Sequence, residues 1–173
     1  MTNTRFGSAT VELPTDTQIL ITRRFDAPAP LVFAALTTPE HVRRWWGWSS
    51  SEMIVCDIDL RVGGRWRYVV RDEHGSEFGW HGEYTELDAP GRMVSSEVFE
   101  GFPDAASLNT TTLTEADGVT TLTTLAQHTC REHRDGHLEA GMEAGMQHTF
   151  DRLQVLLAEQ GSVFGEVLHQ DLA

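Results

Sequence analysis

The segment Arg65–Arg71 reads Arg-Trp-Arg-Tyr-Val-Val-Arg, and its apolar and charged side chains alternate. Trp66, Tyr68 and Val70 share one face of an extended chain, because successive side chains of a strand point to opposite faces. Arginines occupy most positions of the other face. The segment therefore predicts a strand with one buried face and one solvated face.

The same period of two runs in both directions from this segment, from Met53 to His128. Turn-forming groups such as Gly63-Gly64 and Ala89-Pro90-Gly91 interrupt it, and the short links predict antiparallel neighbours. In the strand that starts at Met53, the alternating apolar positions extend to Leu60 and Val62. The predicted strands of this region cover residues 53–62, 65–71, 77–86, 93–99, 107–114 and 119–128.

Upstream of this region, Gln18–Phe25 is rich in β-branched and aromatic residues and predicts a further strand. Prolines at positions 28, 30 and 39 suit the first turns of helices, so two short helices are expected at residues 28–38 and 39–46. Residues 1–16 carry no such pattern. We interpret them as a flexible arm.

Downstream, Thr129–Glu132 has the Thr-x-x-Glu form of a capping box and predicts the start of one long C-terminal helix. Gly141 and Gly145 lie in its interior, where each costs about 1 kcal/mol relative to Ala. We expect a ligand or a strand to approach them closely. Gln147, Arg152 and Gln154 fall on the wet face, and the buried face carries Leu138, Met142, Met146, Phe150, Leu153 and Leu157.

These elements define an α+β domain over residues 17–160, with a C-terminal tail at residues 161–173. A curved antiparallel sheet of about six or seven strands is expected to wrap around the long C-terminal helix, with the two short helices after strand 1.

Composition excludes several classes of protein. The formal net charge of −13 opposes phosphate backbones, so nucleic acid is not expected as a partner. No apolar run approaches the roughly 20 residues needed to cross a bilayer, so membrane insertion is not expected. The N-terminus lacks the apolar core of a secretory signal, and the only two cysteines suit a reducing compartment. We expect a cytoplasmic protein.

Strand alternation directs several aromatic side chains toward the methionines of the closing helix, which predicts a pocket for an apolar ligand. Glu97 could orient the polar end of that ligand or act in acid-base chemistry. The alternatives are that the apolar residues fill the core and that Glu97 faces solvent. The predicted ligand-binding residues are Trp46, Trp66, Tyr68, Trp80, Tyr84, Glu97, Met142, Met146 and Phe150.

His128, Cys130, His133 and His137 fall within ten residues, but their spacing matches no standard zinc site and crosses a strand-to-helix junction. We therefore predict no metal. The sequence also lacks a phosphate-binding loop and a nucleophile elbow, so no cofactor and no catalytic residue is assigned.

Five blocks in order resemble a known family, the homologues of the activator of the ninety-kilodalton heat-shock-protein ATPase, in the START-like (SRPBCC) superfamily. The resemblance runs from about Ile19 to Glu159. Its blocks are Phe25–Pro28 with Val32-Phe33, Pro39–His41 with Trp45–Gly47, Gly63–Tyr68, Gly118–Leu122, and Gly141–Glu143 through Asp151–Leu153.

The resemblance implies the helix-grip fold, with a cavity beneath the last helix, and a protein that binds a lipid-like, aromatic or isoprenoid molecule. Two alternatives follow from the same relatives: a polyketide cyclase-like enzyme with acid-base groups in the cavity, and an interaction protein that regulates a chaperone ATPase. We favour the binding protein over the enzyme. An exposed strand edge or the Trp45–Trp48 segment is a candidate contact for a homodimer.

Overall fold

The computed structural model describes residues 9–170, with side chains described to residue 162. This range holds eight strands and four helices. The strands are β1 (Thr10–Glu12), β2 (Gln18–Phe25), β3 (Glu52–Ile58), β4 (Arg65–Arg71), β5 (Glu77–Asp88), β6 (Arg92–Phe99), β7 (Ser107–Ala116) and β8 (Val119–His128). The helices are α1 (Ala29–Thr37), α2 (Pro39–Trp45), α3 (Arg131–Glu139) and α4 (Met142–Gln170).

All strands join one antiparallel sheet in the order β1-β2-β8-β7-β6-β5-β4-β3. β2 therefore pairs with the last strand of the chain, and α1 and α2 lie between β2 and β3 in sequence. The predicted α+β helix-grip fold, with two short helices after the first long strand, is confirmed. No helix within residues 9–170 combines the length and apolarity needed to cross a membrane.

β7 and β8 form a hairpin with a two-residue turn, Asp117-Gly118. Both turn residues have positive φ, 54° and 75°, and the strands pair from Ala116 with Val119 to Ser107 with His128. Such turns match the twist of the strands that they join.

The N-terminal segment adds a strand that the sequence did not predict. Thr10–Glu12 pairs with residues 20–22 of β2, so this part of the predicted flexible arm belongs to the sheet. Residues 1–8 of the arm lie outside the described residues. The sheet has one strand more than expected because a three-residue strand is too short to show a period.

The predicted extension of β3 to Val62 is wrong. Leu60 and Val62 lie in the following loop and are exposed. The loop is tight: a Cβ atom on Gly64 would lie 2.0 Å from the carbonyl oxygen of Asp59, and Gly63 has a φ of 81°. The glycine pair permits this close approach, and β4 begins immediately after it.

The prediction of one unbroken C-terminal helix is also wrong. α3 ends at Glu139 and α4 starts at Met142, because Gly141 adopts a φ of 79°, which is not helical. The capping box is absent: Cys130 is the N-cap residue of α3, and the Thr129 hydroxyl lies 2.8 Å from Nδ1 of His133. A Cβ on Gly141 or Gly145 would meet no atom of the described residues within 4 Å, so within this part of the chain neither glycine makes the close approach we expected.

The main core lies between α4, α1 and the sheet. Phe25, Val32 and Leu122 meet Leu153 and Leu157 of α4, and all five side chains are buried. Apolar burial of this kind is the main favourable contribution to folding.

Polar side chains of α4 hold the helix to neighbouring segments. Gln147 forms hydrogen bonds with both backbone groups of Ala9, at 2.7 and 2.8 Å, and Arg152 donates to the carbonyl oxygen of Arg44 at 2.8 Å. Gln154 accepts a hydrogen bond from the backbone N–H of Asp26. The face that was predicted to be wet therefore anchors α4. Beyond residue 160, where we placed the end of the domain, the backbone of α4 continues to Gln170.

Candidate functional site

A cavity of about 620 Å³ lies beneath α3, between that helix and the concave face of β5–β8. The loop after β6 and the start of α4 complete its walls. Its lining residues are Trp48, Phe78, Trp80, Glu97, Phe99, Phe102, Ala105, Ser107, His128, Glu132, His133, Gly136, His137, Ala140 and Met142.

Three of the nine predicted ligand-binding residues line this cavity: Trp80, Glu97 and Met142. The other six lie outside its lining. Met146 packs on Ile19 and Ile21, and Phe150 meets the ring of Phe25 edge-on at 5.6 Å.

The remaining four predicted residues, Trp46, Trp66, Tyr68 and Tyr84, pack in an aromatic cluster with Val42 and Cys56. Burial raises the pKa of Tyr84 to about 12, so its hydroxyl stays protonated near neutral pH. This cluster adjoins the cavity through Trp80, whose ring centroid lies 4.8 Å from that of Trp46. The four side chains thus fill space behind one wall of the cavity.

On the sheet side of the cavity, the polar side chains form a row across three strands. Glu97 of β6 lies opposite Ser107 of β7, which lies opposite His128 of β8. Directly opposed residues share one face of a sheet, so this register directs all three side chains to the concave face. Ser107 Oγ donates to Asn109 Oδ1 and Asn109 Nδ2 donates to Glu97 Oε2, both at 3.3 Å.

Desolvation raises the pKa of Glu97 above its ordinary value, and the hydrogen bond from Asn109 lowers it by less. The Glu97 side chain is half-buried: part of its surface faces the cavity, and protein atoms cover the rest. A carboxyl group in such surroundings exchanges a proton more easily near neutral pH than one in water.

Two imidazoles join α3 to the sheet. Nε2 of His128 lies 3.0 Å from Nδ1 of His137. Burial lowers the pKa of both groups, that of His137 to about 4, and a positive charge on His128 would lower the pKa of His137 further. The pair is therefore neutral at neutral pH, when one ring nitrogen of the contact donates and the other accepts.

Aromatic rings form the apolar walls. Trp80 and Phe99 lie with centroids 5.3 Å apart, and Trp48 meets Phe78 edge-on at 5.7 Å. Phe99 and Phe102 are 37% and 55% exposed, so they lie where the cavity meets solvent. Half-exposed aromatic rings at a cavity entrance suit contact with an apolar ligand.

His81 lies on the opposite face of β5 from Trp80. Its Nδ1 is 3.1 Å from Glu100, which also accepts two hydrogen bonds from Arg67 at 2.8 and 3.0 Å. The arginine, followed by the imidazole, lowers the pKa of Glu100 to about 2. This ion-paired group is exposed and separate from the cavity.

The sequence-based assignment missed the histidines and the phenylalanines of the cavity. The histidines were considered only as metal ligands, and among the residues that the structure describes no group of three or more His, Cys, Asp or Glu side chains could hold a metal ion. The alternation of the strands could have found the phenylalanines. It places Phe99 on the same strand face as Glu97, and it places Phe78 on the same strand face as Trp80. The position of α3 was not available from the pattern.

Together, the sheet that wraps α4 and the cavity beneath α3 define a START-like helix-grip protein. The family model described as "Activator of Hsp90 ATPase homolog 1-like protein" matches residues 26–158, and the chain belongs to this family. A search of curated proteins found no match.

Solved structures share the fold. A protein from Rhodobacter sphaeroides is 25% identical with a TM-score of 0.84, covering 88% of this chain and 99% of its own. Protein Ms6760 from Mycobacterium smegmatis is 29% identical with a TM-score of 0.76, covering 86% and 96%. The AHSA1-like protein from Aeromonas hydrophila, at 19% identity and a TM-score of 0.63 over 79% and 93%, shows the fold alone.

Proposed function

We propose that this protein binds a small, mainly apolar ligand with one polar end in the cavity beneath α3. The observation that carries the proposal is the pairing of aromatic walls with a polar row on the sheet, Glu97-Ser107-His128, inside a space of about 620 Å³. Small-molecule sites commonly combine an apolar lining with a few oriented polar groups.

The volume suits a ligand of two or three fused rings or a chain of similar size. Burying about 200 Å² of apolar ligand surface contributes about 5 kcal/mol at about 25 cal/mol per Å², from which the loss of ligand freedom is subtracted. The hydrogen-bonding groups at the polar row then select among ligands of similar shape, since a ligand that leaves them unpaired loses affinity.

A second candidate is an acid-base enzyme of the polyketide cyclase type. It is favoured by one observation: Glu97, with a raised pKa, and the neutral His128–His137 pair line the same cavity. A carboxylic acid and a neutral imidazole are a proton donor and a proton acceptor. Turnover of a ligand that binds, detected by mass spectrometry, would establish this candidate.

The binding proposal is tested with N-phenyl-1-naphthylamine, whose fluorescence increases in apolar surroundings. Ala105→Trp places a large ring in the cavity and is expected to reduce the affinity at least tenfold, because little room remains for the probe. Leu108→Trp is the matched control, since Leu108 is exposed on β7 outside the cavity lining.

Equal probe binding by both tryptophan variants and the wild-type protein would contradict the proposal, since the probe would then bind elsewhere. Native mass spectrometry of the purified protein gives an independent measurement. A co-purified small molecule that is absent from the Ala105→Trp variant supports the cavity as its site.

A further inference from the structure

We propose that the cavity selects apolar ligands that carry an amine, with Glu97 as the counter-ion of the ammonium group. This inference rests on the proposed binding function and names the ligand class. It follows from the charges of the lining, the hydrogen bonds of Glu97 and the nature of the walls.

Among the residues that the structure describes, the lining offers negative charge and no side chain of permanent positive charge. Glu97 and Glu132 contribute carboxyl groups, and none of the described arginines lines the cavity. The sequence contains no lysine, so arginine is the only type of side chain in it with a permanent positive charge. A ligand carboxylate or phosphate would enter without a cation to receive it, and the net charge of −13 adds repulsion at long range.

The hydrogen bonds of the polar row leave one carboxylate oxygen for a ligand. Ser107 donates to Asn109 and Asn109 donates to Oε2 of Glu97, whereas Oε1 receives no hydrogen bond from any residue that the structure describes. Arg67, on the outer face, is held by Glu100. An ionised Glu97 thus lacks a cation, and an ammonium group supplies both the charge and a donor.

The walls suit the same ligand. Trp80 lies on β5 beside Phe99 of β6, the strand that carries Glu97, and Trp48 and Phe78 extend the aromatic lining. Cations bind favourably over aromatic faces, most strongly over tryptophan, whereas an anion gains nothing there. The carboxylate of Glu97 and the aromatic rings of the walls therefore both favour a positively charged ligand.

Three probes with one ring system test the inference: 2-(1-naphthyl)ethylamine, 2-(1-naphthyl)ethanol and 1-naphthylacetic acid, each titrated at pH 7.5 by calorimetry. The amine is expected to bind about tenfold more tightly than the alcohol, the gain of one charge-assisted contact. The acid is expected to bind more weakly than both. Equal affinity of amine and alcohol, or tighter binding of the acid, overturns the inference but leaves the binding function intact.

Glu97→Gln supplies the residue-level test, because its amide oxygen can still accept the hydrogen bond from Asn109. The variant is expected to bind the alcohol within about twofold of wild type and to lose the tenfold preference for the amine. Glu83→Gln, which makes the same change at an exposed position of β5 outside the cavity lining, is the control and is expected to retain that preference. A preference that survives Glu97→Gln overturns the role of Glu97, and binding of none of the three probes would overturn the binding function as well.

Discussion

The two ends of the concave sheet face differ in how they are covered. At one end, Leu153 and Leu157 of α4 pack in one buried cluster with Phe25, Val32 and Leu122. Each of these side chains is at most 1% exposed. At the other end α3 covers the sheet but leaves about 620 Å³ unfilled. The same sheet therefore supports a packed core and a cavity.

The difference lies in the side chains of the two helices. α4 presents leucines at helical spacing to the sheet and α1, so they fill the space between them. α3 reads Arg-Glu-His-Arg-Asp-Gly-His-Leu-Glu, with Leu138 as its only large apolar residue. A helix of this composition cannot close an apolar space. The break at Gly141 separates the helix that stabilises the fold from the helix that covers the cavity.

Truncating one side chain in each region gives the largest expected effect. Leu153→Ala should lower the free energy of unfolding by about 3 kcal/mol, because a fully buried leucine leaves a void that its neighbours fill only in part. Met142, at the start of the same helix, lines a space that is already open. Met142→Ala should therefore lower the free energy of unfolding by about 1 kcal/mol or less. Urea denaturation measures both, and similar losses would mean that the two ends are packed alike.

Substitutions at the two glycines around the break should have opposite signs. Gly141→Ala should destabilise by about 1 kcal/mol, because an L-residue disfavours a φ of 79°. Gly145→Ala should stabilise by about 0.5–1 kcal/mol, since the position is helical and its Cβ meets no neighbour. Thermal unfolding of both variants tests this. Stabilisation by Gly141→Ala would indicate that α3 and α4 can form one continuous helix.

Acidification should weaken the cavity end. The pKa of His137 is lowered from 6.5 to about 4 in the folded state, so between these values the unfolded chain binds more protons. Stability therefore rises with pH across this window and falls as the pH drops from 6.5 toward 4. Because His137 is partly exposed, we expect a loss of only about 1 kcal/mol.

The matched comparison for this effect is His137→Gln, which cannot titrate. Denaturation at pH 7 and pH 5 should show a smaller loss for the variant than for the wild type. Glu97 titrates in both proteins, and its raised pKa acts in the opposite direction, so it does not produce the difference. Equal acid sensitivity would show that His137 does not contribute.

Sequence patterning predicted the elements that have a period. The alternation in Arg65–Arg71 and the strand Val119–His128 appear with the predicted bounds, and the leucines of α4 form the predicted buried face. Features without a period were missed. β1 has three residues, and the loop at Gly63-Gly64 ends β3 although apolar alternation continues through it.

The candidate site was predicted only in part, because a cavity exists only where the neighbouring side chains and helices leave space unfilled. Alternation assigned Trp80 to the concave face, and Glu97 was a candidate ligand-binding residue with a solvent-facing position as the alternative; both line the cavity. The same rule assigned Trp66 and Tyr68 to the pocket, yet they are covered by Trp46 and Val42. Which inward residues are covered depends on where α2 and α3 lie, and single-strand periodicity carries no information on that.

The two-residue turn at Asp117-Gly118 determines more than the hairpin it closes. It fixes which residue of β8 stands beside Ser107, ten residues away along each strand. Adding or deleting one residue there would shift the alternation by one step and turn His128 outward, away from Glu97. The chemistry of the cavity is thus encoded partly in loop length, and relatives that differ by one residue in this turn should be compared by register before their cavity residues are equated.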